Sequence, residues 1–206
     1  MKILIAFQLF TIIAAGPVLK CMQCKTSDKE DCTGESVKCP NPGYVCAKGI
    51  EYDRLGEDLT RTVYRGCLNR TDICGSTFQF STLDSRYSSY HECCKKDNCN
   101  HGPIKMPTRN TTGTGFQCNS CVNVGNTVCQ EWKPKARIEC RDKEAECFVF
   151  RGKVARAGRQ IKEFYASGCA IKGFCTNVVD AFIGTKIIES QYLSCTKTLN
   201  VRNWQY

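Results

Sequence analysis

The stretch CCKKDNCN, residues 93–100, closes a ladder of ten cysteines that opens with Cys21-x2-Cys24. A second ladder, of eight cysteines, opens with Cys118-x2-Cys121 and repeats the spacing of the first. In both ladders, seven residues separate the second cysteine from the third, and six separate the fourth from the fifth. A gap of 20 residues in the first ladder and 21 in the second leads to the sixth cysteine. Spacing conserved at so many positions indicates an internal duplication.

The start of the chain predicts export. Met1-Lys2 precedes an apolar run from Ile3 to Ala15, which is typical of a secretory signal peptide. The run is too short to span a bilayer, which needs roughly 20 apolar residues. We therefore expect residues 1–19 to be a signal peptide and the protein to be secreted and extracellular. The tail at 196–206 is polar, so the sequence predicts no lipid-anchor signal and no membrane anchor.

Export favours disulfides as the role of these cysteines. Each ladder holds an even number, so all eighteen can pair. Small exported domains depend on such cross-links because their hydrophobic cores are limited. The Cys-x2-Cys spacing also suits zinc, but that reading is typical of proteins that keep their thiols reduced. We expect no metal site and no cofactor.

The cysteine-free stretch between the ladders predicts a linker. It is rich in Gly, Pro, Thr and Asn, which is typical of linkers and turns. We therefore expect a first domain at 20–101, a linker at 102–115 and a second domain at 116–206. Within each domain, β-branched and aromatic residues with partial alternation predict hairpins. In the first domain, strands at 44–52 and 60–67 flank a charged turn, and in the second a strand pair flanks Cys175 and Cys195.

These hairpins and the closing motif resemble the three-finger family of snake neurotoxins and Ly6/urokinase-receptor proteins. The residues that carry the resemblance are the Cys21-x2-Cys24 opening and the Cys93-Cys94-x4-Cys99-Asn100 closing. It implies an all-β, disulfide-rich fold of two tandem three-finger domains, with Asn100 bracing the first domain through its side chain. It also implies these pairs: Cys21–Cys46, Cys24–Cys32, Cys39–Cys67, Cys74–Cys93, Cys94–Cys99, Cys118–Cys147, Cys121–Cys129, Cys140–Cys169 and Cys175–Cys195.

The second ladder ends at Cys195 without the closing doublet of the first. Two tandem domains, the second lacking its last pair, resemble the gamma-type phospholipase A2 inhibitors of reptile plasma. They resemble equally the sodefrin-precursor-like factors of amphibians. The first resemblance implies an inhibitor of secreted phospholipase A2 that acts by steric occlusion. The second implies an extracellular signal or pheromone that binds a receptor.

Catalysis finds little support in the sequence. The chain has two histidines, His91 and His101, and neither lies in a recognisable nucleophile–base arrangement. General acid–base chemistry needs a positioned group with a tuned pKa. We expect both histidines to be surface residues of a β scaffold and the protein not to be an enzyme.

Positive charge is concentrated in the second domain. Residues 21–100 contain 11 basic and 12 acidic residues, whereas residues 118–206 contain 14 and 8. The cations are densest in a predicted hairpin: Arg151, Lys153, Arg156, Arg159 and Lys162. Strand alternation places the first two on one face, and we expect the hairpin tip to present the others to solvent. The hairpin is either a solvated loop or a contact for an acidic protein, a sulfated glycan or an anionic surface. Without interleaved aromatics, nucleic acid is not expected.

The linker supplies a second candidate segment. Gamma-type inhibitors carry a Pro-rich apolar stretch after the first domain that is proposed to contact the phospholipase. By this resemblance Pro103, Ile104, Met106 and Pro107 are candidate partner-binding residues, with a plain spacer as the alternative.

Two further features concern the surface of the chain. The Asn-x-Thr sequons at Asn69 and Asn110 predict exposed glycosylation sites. Four aromatic residues of the third finger of the first domain either pack on a sheet face or form an exposed contact: Phe78, Phe80, Tyr87 and Tyr90.

Overall fold

The computed structural model describes residues 16–125, 136–197 and 199–200. Residues 1–15 of the predicted signal peptide therefore lie outside the described residues, as does Cys129 of the implied Cys121–Cys129 pair. The fold is nearly all-β, with antiparallel strands and little helix, so the predicted fold class is confirmed. In the part of the chain described, no helix has the length and apolarity needed to cross a bilayer.

The first domain consists of three hairpins. Its strands are β1 Lys20–Ser27, β2 Glu35–Lys38, β3 Val45–Leu55, β4 Asp58–Leu68, β5 Thr77–Ser81 and β6 Ser85–Cys94. A short 3₁₀ helix, Thr71–Ile73, precedes the third hairpin. The β3–β4 ladder continues to the pair Leu55 and Asp58, so the central strands run through the charged turn that the sequence predicted. Gly56, with φ of +58°, occupies the two-residue turn.

The second domain repeats two of these hairpins and alters the third. Its elements are β7 Gly113–Val124, β8 Ala136–Arg141, β9 Glu144–Ala155, β10 Lys162–Ile171, α1 Phe174–Ala181, β11 Lys186–Lys197 and β12 Leu199–Asn200. β7 begins at Gly113, inside the predicted linker. The predicted strand at Cys175 is wrong, because this residue lies in helix α1. The helix follows Gly173, whose φ of +79° turns the chain, and buries Phe174 and Ala181, which lie on one face.

The described residues contain eight disulfides. Each joins two cysteines that the resemblance pairs. Asn100 is buried beside those of the first domain. Its side-chain amide donates hydrogen bonds of 2.9 Å to the carbonyl oxygens of Met22 and Ala47. Its side-chain oxygen accepts one of 3.0 Å from the backbone N–H of Met22. This is the bracing arrangement that the resemblance implies.

The two domains share one sheet. Strand β10 of the second domain pairs with β5 of the first, at Cys169 with Ser81 and at Ala170 with Phe80. Gly168 permits this approach, because a Cβ there would lie 2.1 Å from the Ser81 carbonyl oxygen. The sheet therefore runs from β11 through β9, β10 and β5 into the first domain.

The two domains also share one hydrophobic core. Its buried members are Phe78, Phe80, Tyr87, Phe148, Phe150, Val154, Ala166, Ala170, Phe174 and Ala181. The rings of Phe78 and Phe174 stack with their centroids 5.2 Å apart, which joins the third finger of the first domain to helix α1. Three of the four aromatic residues flagged in this finger therefore pack in the core, and Tyr90 is half-buried.

Candidate functional site

A buried carboxylate joins the two domains. Glu51, on β3, is fully buried, and its oxygens accept hydrogen bonds from the backbone N–H groups of Ile183, Gly184 and Thr185 at 2.7, 2.8 and 2.9 Å. The hydroxyl groups of Thr185 and Tyr87 donate two more, at 2.9 and 2.7 Å. A buried charge is tolerated when it is fully hydrogen-bonded. The short segment between α1 and β11 therefore docks onto the central hairpin of the first domain.

A second group of charges lies beside Glu51. The Arg156 guanidinium donates to Asp53 Oδ2 at 2.8 Å and to Asp58 Oδ2 at 2.7 Å, and Arg159 donates to Asp58 Oδ1 at 2.7 Å. The Thr185 hydroxyl, which donates its single hydrogen to Glu51, also lies 3.0 Å from Asp53 Oδ2. Burial raises the pKa of Asp53 despite the opposing effect of Arg156. The hydrogen bonds from Arg159 and then Arg156 lower the pKa of Asp58 to about 2.

These contacts correct the expectation for the hairpin tip. The Arg156 side chain is 10% exposed because it is held against the first domain, so it is not presented to solvent. Arg159 is exposed but ion-paired with Asp58. The side chains of Glu51 and Asp53, on the central hairpin of the first domain, lie buried under the second domain. Arg156 and Arg159 therefore bind acidic residues of the first domain.

The apolar side chains of the linker also pack against the first domain. Ile104 is buried in a cluster with Cys32, Ile50 and Val63 of the first domain, and Met106 packs against the same cluster. Pro103 and Pro107 are exposed. Of the four linker candidates, the structure thus leaves the two prolines on the surface.

The outward face of the second domain holds two further candidates, Arg151 and Lys153. Along β9, even-numbered residues from Phe148 to Val154 are buried, and Arg151 and Lys153 point the other way. Arg151 is paired across the strands with Tyr165 on one side and Tyr192 on the other. Residues in such a cross-strand row contact one another on one sheet face. We call Tyr165, Arg151 and Tyr192 the tyrosine–arginine row.

The next row along the same face is ionic. Lys153 lies between Glu163 and Glu189 in the strand register and donates to Glu189 Oε2 at 2.6 Å. This contact raises the pKa of Lys153 and, as its largest cause, lowers that of Glu189. In the described part of the chain, no ion pair involves Arg151, and the Tyr192 ring is 55% exposed. The tyrosine–arginine row is therefore the more accessible of the two rows.

His91 is not the surface residue that the sequence predicted. It is buried on β6, 4% exposed, because the second domain covers this face of the first: Ile183 packs at the neighbouring Gly49. Burial lowers the pKa of His91 to about 4. His101 is exposed, and its Nδ1 lies 2.9 Å from the Asn98 carbonyl oxygen. The two histidines lie on separate parts of the first domain.

The cysteine clusters do not offer metal ligands. The sulfur atoms of Cys21, Cys39 and Cys67 lie within 4.8 Å of one another, as do those of Cys118, Cys140 and Cys169. Each of these six residues belongs to a disulfide, so none provides the thiolate that zinc binding requires. The two sequon residues, Asn69 and Asn110, are both exposed, which suits glycosylation.

The interdomain contact was missed by sequence reasoning. A partial signal exists: Glu51 and Asp53 lie in the same strand phase as Gly49, between apolar and aromatic residues of β3. Acidic residues in such a strand indicate either a solvent face or a buried partner, and the partner here is a backbone segment. Backbone N–H groups carry no sequence signature, so the donors at Ile183–Thr185 were not identifiable.

The chain resembles proteins with the same domain type. A family described as u-PAR/Ly-6 domain matches residues 18–102 and 114–200. The chain is 28% identical over 147 residues to Ly6/PLAUR domain-containing protein 8 of Mus musculus, covering 68% of this chain and 54% of that protein. It is 26% identical over 117 residues to Protein RoBo-1 of Rattus norvegicus, covering 56% and 45%. The chain spans about half the length of these curated relatives.

One solved structure aligns with the chain at lower sequence identity. The crystal structure of mouse TEX101 matches 85% of this chain and 96% of that chain at 16% identity, with a TM-score of 0.38. The two family matches together extend over most of the sequence, one on each cysteine ladder. The chain therefore belongs to the u-PAR/Ly-6 domain family.

Proposed function

We propose that this chain is an extracellular protein that inhibits a secreted phospholipase A2 by steric occlusion, with the outward face of its second domain as the contact surface. The coarser part of this proposal follows from the family: proteins with Ly6/uPAR domains are generally non-enzymatic binding proteins. The disulfide-rich fold is consistent with an extracellular location. The phospholipase is the partner that the two-domain cysteine pattern suggests.

The tyrosine–arginine row carries the proposal. Tyr and Arg are enriched among the residues that dominate the free energy of protein–protein binding. Here Arg151 lies between two tyrosines on a continuous sheet, so the three side chains are held on a rigid support. A preorganised surface loses little conformational entropy on binding, which favours affinity.

Occlusion needs a rigid body rather than a reactive group. The shared sheet, the shared core and the contacts of Glu51 join the two domains, so a partner bound to one face also meets the bulk of the other domain. Such a complex covers the entrance to an enzyme's active site without chemistry on the inhibitor. This mechanism also agrees with the contacts of Arg156 and Ile104. Both side chains bind within the chain, where they stabilise the rigid body, and are not offered to a partner.

An inhibition assay tests the proposal. The purified protein should lower turnover by at least one secreted phospholipase A2 stoichiometrically, and to the same degree with different lipid substrates. Exchanging Arg151 and Tyr192 for alanine should weaken inhibition by at least about tenfold, as loss of a binding hot spot does. The matched control is Lys172→Ala, an exposed cation of the same domain outside this face.

Three results would count against the proposal. Full enzyme activity across a broad panel of secreted phospholipases at micromolar protein would reject the enzyme partner. Saturable binding to cells in the same preparation, with no effect on the enzymes, would favour the receptor-binding signal that the sequence left as the alternative. Unchanged inhibition by the Arg151 and Tyr192 variant would reject the surface but keep the partner.

A further inference from the structure

A cleft of about 360 Å³ separates the central hairpins of the two domains. Its apolar lining comes from both domains: Leu55, Val124, Val154 and Phe164. Its polar lining consists of Asp58, Arg156, Gly158, Arg159, Gln160 and Lys162. Cavities of this size, apolar with a few convergent polar groups, are typical of small-molecule sites. We call it the inter-hairpin cleft.

The charged groups of this cleft are predominantly positive. Three cations, Arg156, Arg159 and Lys162, line the cleft with one carboxylate, Asp58, which pairs with both arginines. Arg156 also binds Asp53 behind the cleft, so Lys162 is the cation without a carboxylate partner among the described residues. Lys162 is exposed, and among the described residues it forms no ion pair. Because Lys162 lies beside apolar surface and has no carboxylate partner among the described residues, it favours a ligand that carries an anionic group.

An apolar pocket continues behind the cleft. This pocket, of about 40 Å³, shares Val154, Arg156 and Phe164 with the cleft. Its other apolar walls are aromatic and aliphatic side chains of both domains: Phe80, Tyr87, Phe148, Phe150, Ala166, Phe174, Phe182 and Ile187. An apolar chain in the cleft would therefore lie against Val154 and Phe164, which also form a wall of the inner pocket.

We infer that the inter-hairpin cleft binds a small anionic amphiphile, a single carboxylate or sulfate on a medium-length apolar chain, such as a free fatty acid. Lys162 would contact the anionic group, and Leu55, Val154 and Phe164 would cover the chain. The strand register separates this site from the proposed partner surface. Lys162 is paired with Val154 and shares its face, whereas Arg151 lies on the opposite face of β9.

Calorimetric titration of the whole mature protein tests the inference, with three ten-carbon probes below their micellar concentrations. Decanoate should bind at one site. Decanol, which lacks the charge, and decyltrimethylammonium, which reverses it, should bind at least about tenfold more weakly. Decyl sulfate serves as a fourth probe: binding like that of decanoate assigns the site to the anionic head, and weaker binding assigns it to carboxylates.

Two variants of lining residues and one control variant locate the site. Lys162→Gln should weaken decanoate binding by about tenfold, which is the typical effect of losing one charge-assisted contact. Lys172→Gln, at an exposed lysine of the same domain that does not line the cleft, should leave it unchanged. Leu55→Asp, at the end of a strand, should abolish binding while the thermal transition of the protein stays single.

Three results would overturn the inference: no decanoate binding, equal binding of the three differently charged probes, or equal affinity of the Lys162 and Lys172 variants. The test is independent of the phospholipase proposal. Loss of enzyme inhibition with intact decanoate binding rejects only the inhibitor function, and the converse rejects only the cleft.

Discussion

The carboxylate of Glu51, in the first domain, accepts a hydrogen bond of 2.8 Å from the backbone N–H of Gly184, in the second. The contact is close on all sides, because a Cβ at position 184 would lie 2.1 Å from Thr62 Oγ1. Lys25 of the first domain also donates to the carbonyl oxygen of Ile183. A segment of the second domain is thus held at both its N–H and carbonyl groups by side chains of the first.

Glu51→Gln should destabilise the whole protein. The substitution places an amide NH2 group among donors, so at least one hydrogen bond of the buried carboxylate is lost. Losing a buried hydrogen bond to a charged group costs about 2–3 kcal/mol of the free energy of unfolding. Denaturation in guanidinium chloride measures this loss. Glu57→Gln, in the exposed turn of the same hairpin, should change the stability by less than about 0.5 kcal/mol.

Arg156→Met should destabilise the protein more than Arg151→Met, although both arginines belong to the same hairpin. Removal of Arg156 leaves Asp53 buried without its cation, and breaking a buried pair costs about 3–5 kcal/mol. Arg151 is exposed and forms no ion pair with the described residues, so its loss should cost less than about 0.5 kcal/mol. Equal stability of the two variants in the same denaturation series would contradict the interdomain role of Arg156.

His91 should make the folded state sensitive to acid. Its folded-state pKa is about 4, below the usual value of 6.5, so the unfolded chain binds the proton first as the pH falls. The contribution of His91 is therefore fully present above pH 6.5 and is lost progressively as the pH falls toward 4. Between pH 7 and 4.5 the loss amounts to about 2.5 kcal/mol.

Denaturation at the two pH values checks this sign. His91→Gln should lose less stability than the unmodified protein over the same interval, by about that amount. His101→Gln, at an exposed position, serves as the control and should follow the unmodified protein. An identical acid dependence for all three proteins would contradict the burial of His91.

Disulfide mapping of the purified protein should find nine bonds. Eight are the pairs of the described residues, and the ninth is Cys121–Cys129, which rests on the resemblance. Proteolysis without reduction, followed by mass spectrometry, identifies the linked peptides. Cys175 joined to any residue other than Cys195 would contradict the arrangement of helix α1 against strand β11.

Sequence reasoning reached the fold through the cysteines, because their spacing is a covalent constraint that is visible in one dimension. The closing motif at Cys93–Asn100 indicated the family, and the resemblance to that family implied the bracing role of Asn100. The helix at Phe174 escaped prediction because Phe174 packs against rings that are distant in sequence, among them Phe78 of the other domain. Local pattern does not reveal such a partner.

The candidate site was predicted only in part, for a related reason. The basic hairpin was identified correctly as a concentration of charge, yet charge density does not reveal what the charge binds. Arg156 binds Asp53, which lies about a hundred positions away in the chain. Arg151, five residues before Arg156, faces outward. The tyrosine–arginine row became visible only through the register of β9 with β10 and β11.

Differential scanning calorimetry of the whole protein tests most directly the claim that the two domains form one body. The shared sheet, core and Glu51 contacts predict a single transition whose calorimetric enthalpy equals its van't Hoff enthalpy. Two resolved transitions, each with the enthalpy expected of one domain, would contradict the claim. In that case the rigid support of the tyrosine–arginine row and the inter-hairpin cleft would both be lost.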